Sequence, residues 1–203
     1  MVDDGSTDDT ARLVREWPSP QVSLRLIGHA DGRNHGKGTT VRRGFAAAVG
    51  RYRLFMDADN STTIDHLDAF WPWFEQGYDV VIGSRDTDGA RVVIHQPWYK
   101  ELGGKLGNLI IRAFAAPGIA DTQAGFKMFS QRCIDDILPN LSIERWGFDV
   151  ELIVAARCRG YRVKELPITW RNSSASTVPA LAYLQVLGEV WRVRRQRAAG
   201  RYG

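Results

Sequence analysis

Strand-like runs at residues 22–27, 52–56 and 79–83 alternate with helix-patterned stretches at 8–16, 39–49 and 64–76. Such alternation predicts strands lying side by side in a mostly parallel sheet, each returned to the same end by a crossover helix. It also constrains where a ligand goes, because in open sheets of this kind the loops leaving the strand ends line one crevice. Downstream the pattern loosens. A long loop at 84–96 precedes a helix at 98–114, then an irregular segment through Asp121-Thr122-Gln123 and a strand at 125–129. Helices at 131–137 and 148–159, strands at 162–166 and 168–170, and a last helix from about Pro179 complete the chain. Ser6 and Asp9 have capping-box spacing for the first helix. With 203 residues and 44% hydrophobic composition the chain can bury one substantial core, and nothing in it reads as a linker. Residues 1–203 are therefore expected to form a single domain.

The 27 basic and 23 acidic residues give a net charge of +4, too mild for a nucleic-acid partner but compatible with anionic ligands or an anionic membrane surface. Five arginines, Arg192, Arg194, Arg195, Arg197 and Arg201, follow Trp191 with no acid among them. Residues 176–203 thus read as a basic amphipathic helix, able to end in solvent or to lie on a membrane surface. No apolar run reaches the roughly 20 residues of a membrane span. Cys133 and Cys158 fit no metal or redox spacing, the four histidines share no ligand spacing, and no leader pattern opens the chain, so the expected compartment is the cytoplasm.

Chemistry-bearing residues collect at the strand ends. Asp57-Ala58-Asp59 follows the run Tyr52–Met56, and carboxylates so close together repel unless a proton or a cation lies between them. A hard divalent ion whose shell is completed by phosphate oxygens would satisfy the pair; so would a solvated turn that caps the next helix, and both readings stay open. Asn34-His35-Gly36-Lys37-Gly38-Thr39-Thr40 places glycines, a lysine and hydroxyls at a helix start, which can hold phosphate, although its spacing is not that of the nucleoside-triphosphatase loop. Gly83-Ser84-Arg85 ends the next strand with an arginine suited to bidentate phosphate contact. Two further clusters, Asp121-Thr122-Gln123-Ala124-Gly125-Phe126-Lys127 and Arg145-Trp146-Gly147-Phe148-Asp149-Val150-Glu151, contribute Lys127 as a partner for an anionic acceptor and Asp149 as a carboxylate either aimed into the cleft or capping a helix.

Together with Val2-Asp3-Asp4-Gly5-Ser6-Thr7-Asp8, these motifs resemble the family 2 glycosyltransferases, and more narrowly the polyprenyl- and dolichyl-phosphate β-glucosyltransferases with their dolichyl-phosphate mannose synthase relatives. The resemblance implies an α/β GT-A fold, Rossmann-like with a mostly parallel sheet flanked by helices. It also implies an inverting transfer from a nucleotide-sugar donor to polyprenyl phosphate, with Mg2+ or Mn2+ as cofactor, by a protein peripheral on the inner face of the membrane. Residue by residue, it makes Asp3 and Asp4 contacts to the donor base and ribose, Lys37 a neighbour of the diphosphate, and Asp57 with Asp59 the metal and diphosphate site. Arg85, Lys100, Gln123 and Lys127 fall on the acceptor side, and Asp149 is a base or an orienting group. UDP-glucose is favoured over GDP-mannose by Val163-Lys164-Glu165-Leu166-Pro167-Ile168-Thr169-Trp170, by residues 174–187, and by Ser61 where mannose synthases often carry glutamine. Lys100 stands where an arginine is expected. Family members also open with an apolar strand and a Pro-x-x-Asn-Glu turn, and this chain begins beyond both, so a truncated fold or a remnant without catalysis is the competing expectation, beside transfer to a soluble acceptor.

Overall fold

A computed structural model describes residues 1–18, 21–94, 111, 116–171 and 181–203. Lys100 and all but Ile111 of the helix expected at 98–114 lie outside the described residues.

The chain opens with β1 (Val2–Asp3), α1 (Thr10–Glu16) and β2 (Ile27–Gly28), and the two short strands pair in parallel. The strand expected at 22–27 shrinks to this remnant; Val22 and Leu24 are exposed, and a half-buried face is what favours an extended run. The capping box does not form either. Ser6 donates from both its backbone N–H and its hydroxyl to Asp3 Oδ1, while Asp9 at the N-cap makes no side-chain cap bond.

After α2 (Lys37–Ala47) come β3 (Tyr52–Met56), α3 (Trp71–Glu75), β4 (Val80–Ser84) and β5 (Arg91–Ile94). Residues 64–76 do not form one helix: Ile64–Ala69 is a tight 3-10 turn and α3 restarts with Pro72 in its first turn. Proline has no N–H to continue an α-helical ladder, so the break falls where the sequence puts it. β6 (Phe126–Ser130), α4 (Gln131–Ile137), α5 (Phe148–Cys158), β7 (Val163–Pro167), β8 (Thr169–Arg171) and α6 (Leu181–Ala198) follow.

The main sheet has the order β3-β6-β4-β7. β4 and β7 are parallel, while β6 runs antiparallel to both β3 and β4. β5, which falls within the expected loop 84–96, pairs in parallel with β8. The reversed β6 has a direct consequence for the site. It starts at the edge where β3 ends, so the Asp57 N–H donates to Gly125 O at 3.0 Å and two distant motifs become neighbours.

Alternation along the strands loads both faces of this sheet. Phe55, Val80, Ile82 and Phe129 join the larger core with Phe45 of α2, Ile134 of α4, Leu152 of α5 and Val190 of α6. Val81, Phe126 and Met128 join a smaller cluster with Phe70 and Phe74. α5 is buried all round from Phe148 to Ala156, as a central helix without a solvent face must be. α6 buries Val186, Glu189, Val190 and Val193 and exposes Trp191, Arg192, Arg194, Arg195 and Arg197. The helix ends at Ala198, short of the expected 203, and residues 176–180 of the expected segment lie outside the described ones. Among the described residues no helix is long and apolar enough to cross a membrane.

Candidate active site

Asp57 leaves β3 beside Gly125, and the fit depends on glycine: a Cβ there would sit 2.0 Å from Asp57 Oδ2. Held in that position, the Asp57 carboxylate meets Lys37 Nζ at 2.7 Å. Lys37 is the first residue of α2, and its ammonium lies 5.4 Å from the Phe55 ring centre, 5.9 Å from Phe148 and 6.0 Å from Trp146. Asp59 is different. It is exposed, and its Oδ1 accepts the Ser61 N–H at 2.9 Å, closing a turn in which Asn60 takes φ 54°. The two carboxylates are thus engaged separately, Asp57 by the Lys37 ammonium and Asp59 by the Ser61 N–H, and Asp59 does not cap the following turn, whose N-cap is Thr63. Among the described residues no cluster of three or more His, Cys, Asp or Glu could by itself hold a metal.

A cleft of about 290 Å³ opens next to this pair, lined by Asp4, Asn34, Gly36, Lys37, Thr40, Arg145 and Trp146. Asp4 ties its floor together. The carboxylate accepts the N–H groups of His35 and Gly36 at 2.7 and 3.0 Å and lies 3.1 Å from His29 Nε2. Gly36, at φ 89°, and Gly38 pack so close to the 143–145 segment that added Cβ atoms would meet Glu144 O at 2.7 Å and Ile143 O at 2.4 Å. The glycines bring the loop against the Arg145-Trp146 wall. Asp3, engaged with Ser6, is not among the lining residues.

Arg85 follows β4 and is locked by Asp121. Its Nε and Nη2 reach the two carboxylate oxygens at 2.6 and 3.0 Å, and its backbone N–H adds a third contact at 3.1 Å. Gln123 contributes its backbone N–H to Asp121 Oδ1 at 3.0 Å. Burial pushes the Asp121 carboxyl up, but the Arg85 charge and these hydrogen bonds outweigh it and leave it at about 2. Burial likewise opposes the charge on Arg85, and Asp121 overrides it to raise the guanidinium above its usual range. Trp170 of β8 lies beneath, 5.4 Å from the guanidinium carbon.

Lys127 is fully buried on β6, donating to Ala124 O and to the Asp149 carboxylate, itself buried in the first turn of α5. Burial dominates at Asp149 and raises its carboxyl above the usual range, against the pull of Lys127 and Lys37. The two lysines flank one ring, since Lys127 Nζ is 5.8 Å from the centre of Phe55. The fold therefore brings Lys37, Asp57, Lys127 and Asp149 into one constellation, sets Asp4 in the adjoining cleft, and anchors Arg85 through Asp121. Two residues outside the sequence-derived set emerge. Asp121 was visible only as part of a motif, and Arg145 was marked only by its place before Trp146, although it has no ion-pair partner among the described residues.

The glycosyl transferase family 2 model matches residues 1–138. Curated relatives include dolichyl-phosphate beta-glucosyltransferases of Trichomonas vaginalis, 34% identical over 85% of this chain and 52% of the relative, of Dictyostelium discoideum, 30% identical over 96% and 61%, and of Saccharomyces cerevisiae, 32% identical over 87% and 57%. The chain thus spans between half and two thirds of the length of these proteins. Among solved structures, mannosyl-3-phosphoglycerate synthase from Rubrobacter xylanophilus superimposes with a TM-score of 0.66 at 20% identity, covering 98% of this chain and 63% of that one. Glucosyl-3-phosphoglycerate synthase from Mycobacterium tuberculosis, in complex with Mn2+, UDP-glucose and glycerol 3-phosphate, gives 0.63 at 17%, covering 96% and 68%. The fold agrees with the α/β GT-A architecture that the sequence motifs imply. With its acidic strand end, its glycine-lined cleft and a family match over more than half its length, the chain belongs to glycosyl transferase family 2.

Proposed function

We propose that this protein moves glucose from UDP-glucose onto a polyprenyl, dolichyl-type phosphate with inversion at the anomeric carbon. The observation that carries the reading is the Asp57–Lys37 pair at the mouth of a cleft lined by Asp4 and Trp146, in a chain similar to dolichyl-phosphate beta-glucosyltransferases. The cleft suits a nucleotide: a helix N-terminus and a lysine for the diphosphate, and an aromatic ring and a carboxylate beside them.

Asp59, with Asp57, supplies two hard oxygen donors at this edge, which fits Mg2+ or Mn2+ only if phosphate and water complete the shell. Such an ion, when bound, neutralises the charge developing on the leaving diphosphate. Lys37 adds a second positive charge at the same place. The attacking oxygen belongs to a phosphate monoester, whose second pKa near 6 leaves it largely ionised at neutral pH, so no strong base is required. Asp149, sealed against Lys127, is then an orienting charge behind Lys37 and Asp57. Arg85 uses Nε and Nη2 on Asp121 and keeps Nη1 for an acceptor phosphate oxygen. Gln123 is fastened to the same carboxylate, and Asp3 supports the turn that carries Asp4.

The exposed Trp191 and arginines of α6 suit peripheral contact with an anionic leaflet on the cytoplasmic side; co-sedimentation with anionic but not neutral vesicles is the expected behaviour. Asp59→Ala is expected to lower metal-dependent transfer by about 100-fold or more, as loss of several kcal/mol of transition-state stabilisation would. Undiminished transfer would refute the assignment.

A further inference from the structure

The Trp146-Gly147-Phe148-Asp149 turn opens α5, yet its own side chains do not cap that helix: Gly147 occupies the N-cap with no side-chain cap bond. The carboxylate at this end comes from α6. Glu189 Oε2 accepts the Gly147 N–H at 2.6 Å, and a Cβ on Gly147 would lie 2.6 Å from the Glu189 Cβ. The other oxygen, Oε1, receives Gln185 Nε2 at 3.1 Å from one turn earlier in the same helix. Glu189 is buried, and no cation pairs with it among the described residues. Burying a carboxylate without a cation is costly. Here it is offset by a short charge-assisted bond and by the positive end of α5. Asp149 and Glu151 of the first turn are engaged elsewhere, by Lys127 and by the Ser142 and Ile143 N–H groups, so the Gly147 N–H is left to Glu189.

What Glu189 holds is the hinge between two parts of the site. Arg145 and Trp146, immediately before Gly147, line the cleft; Asp149, two residues after it, pairs with Lys127. We propose that Glu189 is a positioning residue that sets the Arg145-Trp146 wall of the nucleotide cleft by clasping the Gly147 N–H. The inference rests on the glycosyl-transfer reading for what the cleft binds, but not for the clasp itself.

Hydrogen exchange of the ligand-free protein and calorimetric binding of UDP test it together. In Glu189→Ala, exchange at residues 144–150 is expected to rise about tenfold and the Kd for UDP to rise about tenfold, the loss of one charge-assisted hydrogen bond. Glu189→Asp keeps the charge but not the reach and is expected to behave the same way. Glu189→Gln, which still offers an acceptor to Gly147, is expected to restore most of both. Val193→Ala, a core truncation on the same helix, is expected to lower thermal stability while leaving UDP affinity unchanged. Unaltered exchange or UDP affinity in Glu189→Ala, or an equal affinity loss in Val193→Ala, would overturn the proposal. Because exchange is read without ligand, a wild-type protein that fails to bind UDP would count against the glycosyl-transfer reading, with the clasp still decided by the exchange rates.

Discussion

Two ion pairs of the candidate site, each on a buried carboxylate, are built in opposite ways. Arg85–Asp121 is a fork on a carboxylate, with three contacts from Arg85 and a fourth from the Gln123 N–H, and the arginine side chain is still 31% exposed. Lys127–Asp149 is a single ammonium–carboxylate contact, with side chains 0% and 5% exposed. The carboxyl of the first is held at about 2, while burial raises that of the second. The difference separates tasks. A carboxylate with many donors pins a cation that still reaches solvent, and an arginine so held can meet a phosphate without losing its place. A sealed lysine is spent on Asp149 and Ala124 O, and under the proposed reaction it would act only through Asp149 and the neighbouring Lys37 and Asp57.

The sealed pair is the more fragile. Lys127→Met leaves Asp149 buried without its cation and is expected to cost about 3–5 kcal/mol in chemical denaturation, with the Lys127→Met/Asp149→Leu double variant recovering most of it. Arg85→Gln is expected to cost less, about 1–3 kcal/mol, because Asp121 keeps two backbone N–H donors. Its transfer activity should fall further than its stability. A larger stability loss in Arg85→Gln than in Lys127→Met would break the contrast.

Acid should move the two pairs in opposite directions. Asp121 has its folded value below its unfolded one, so its contribution is complete above the ordinary 3.8 and fades as pH falls toward 2, by roughly 2 kcal/mol. Asp149 has its folded value above the unfolded one, so it binds a proton more tightly when folded and contributes more as pH falls through the window down to 3.8. Denaturation curves collected from pH 6 to pH 3 should therefore show Asp121→Asn gaining on wild type toward acid and Asp149→Asn losing ground. Parallel curves would remove the distinction.

Much of this architecture was legible. The strand at 52–56 and the strand ending before Arg85 followed from apolar periodicity, and glycine placement put the next helix at 39–49, although it runs from Lys37 to Ala47 and so brings Lys37 onto its first turn. What periodicity does not contain is strand order. β6 reads like its neighbours in sequence, and only its antiparallel course puts Gly125 against Asp57. Clasps made by long-range carboxylates were equally hidden. Asp4 looks like any acidic turn residue until it closes on His35 and Gly36. Glu151 gives no sign of gathering the N–H groups of Ser142 and Ile143 and the hydroxyl of Tyr202. Such bonds join residues whose contact is decided by packing, so local spacing carries no trace of them.

A product assay reaches the proposed lipid-phosphate glucosyl transfer directly. Purified protein is incubated with polyprenyl phosphate and radiolabelled UDP-glucose or GDP-mannose, with Mn2+, with Mg2+ or with chelator, and the lipid phase is counted. The expected result is label in the lipid phase from UDP-glucose, dependent on the divalent ion and lost in Asp59→Ala. No lipid-borne label from UDP-glucose, or label from GDP-mannose alone, would overturn the proposed reaction.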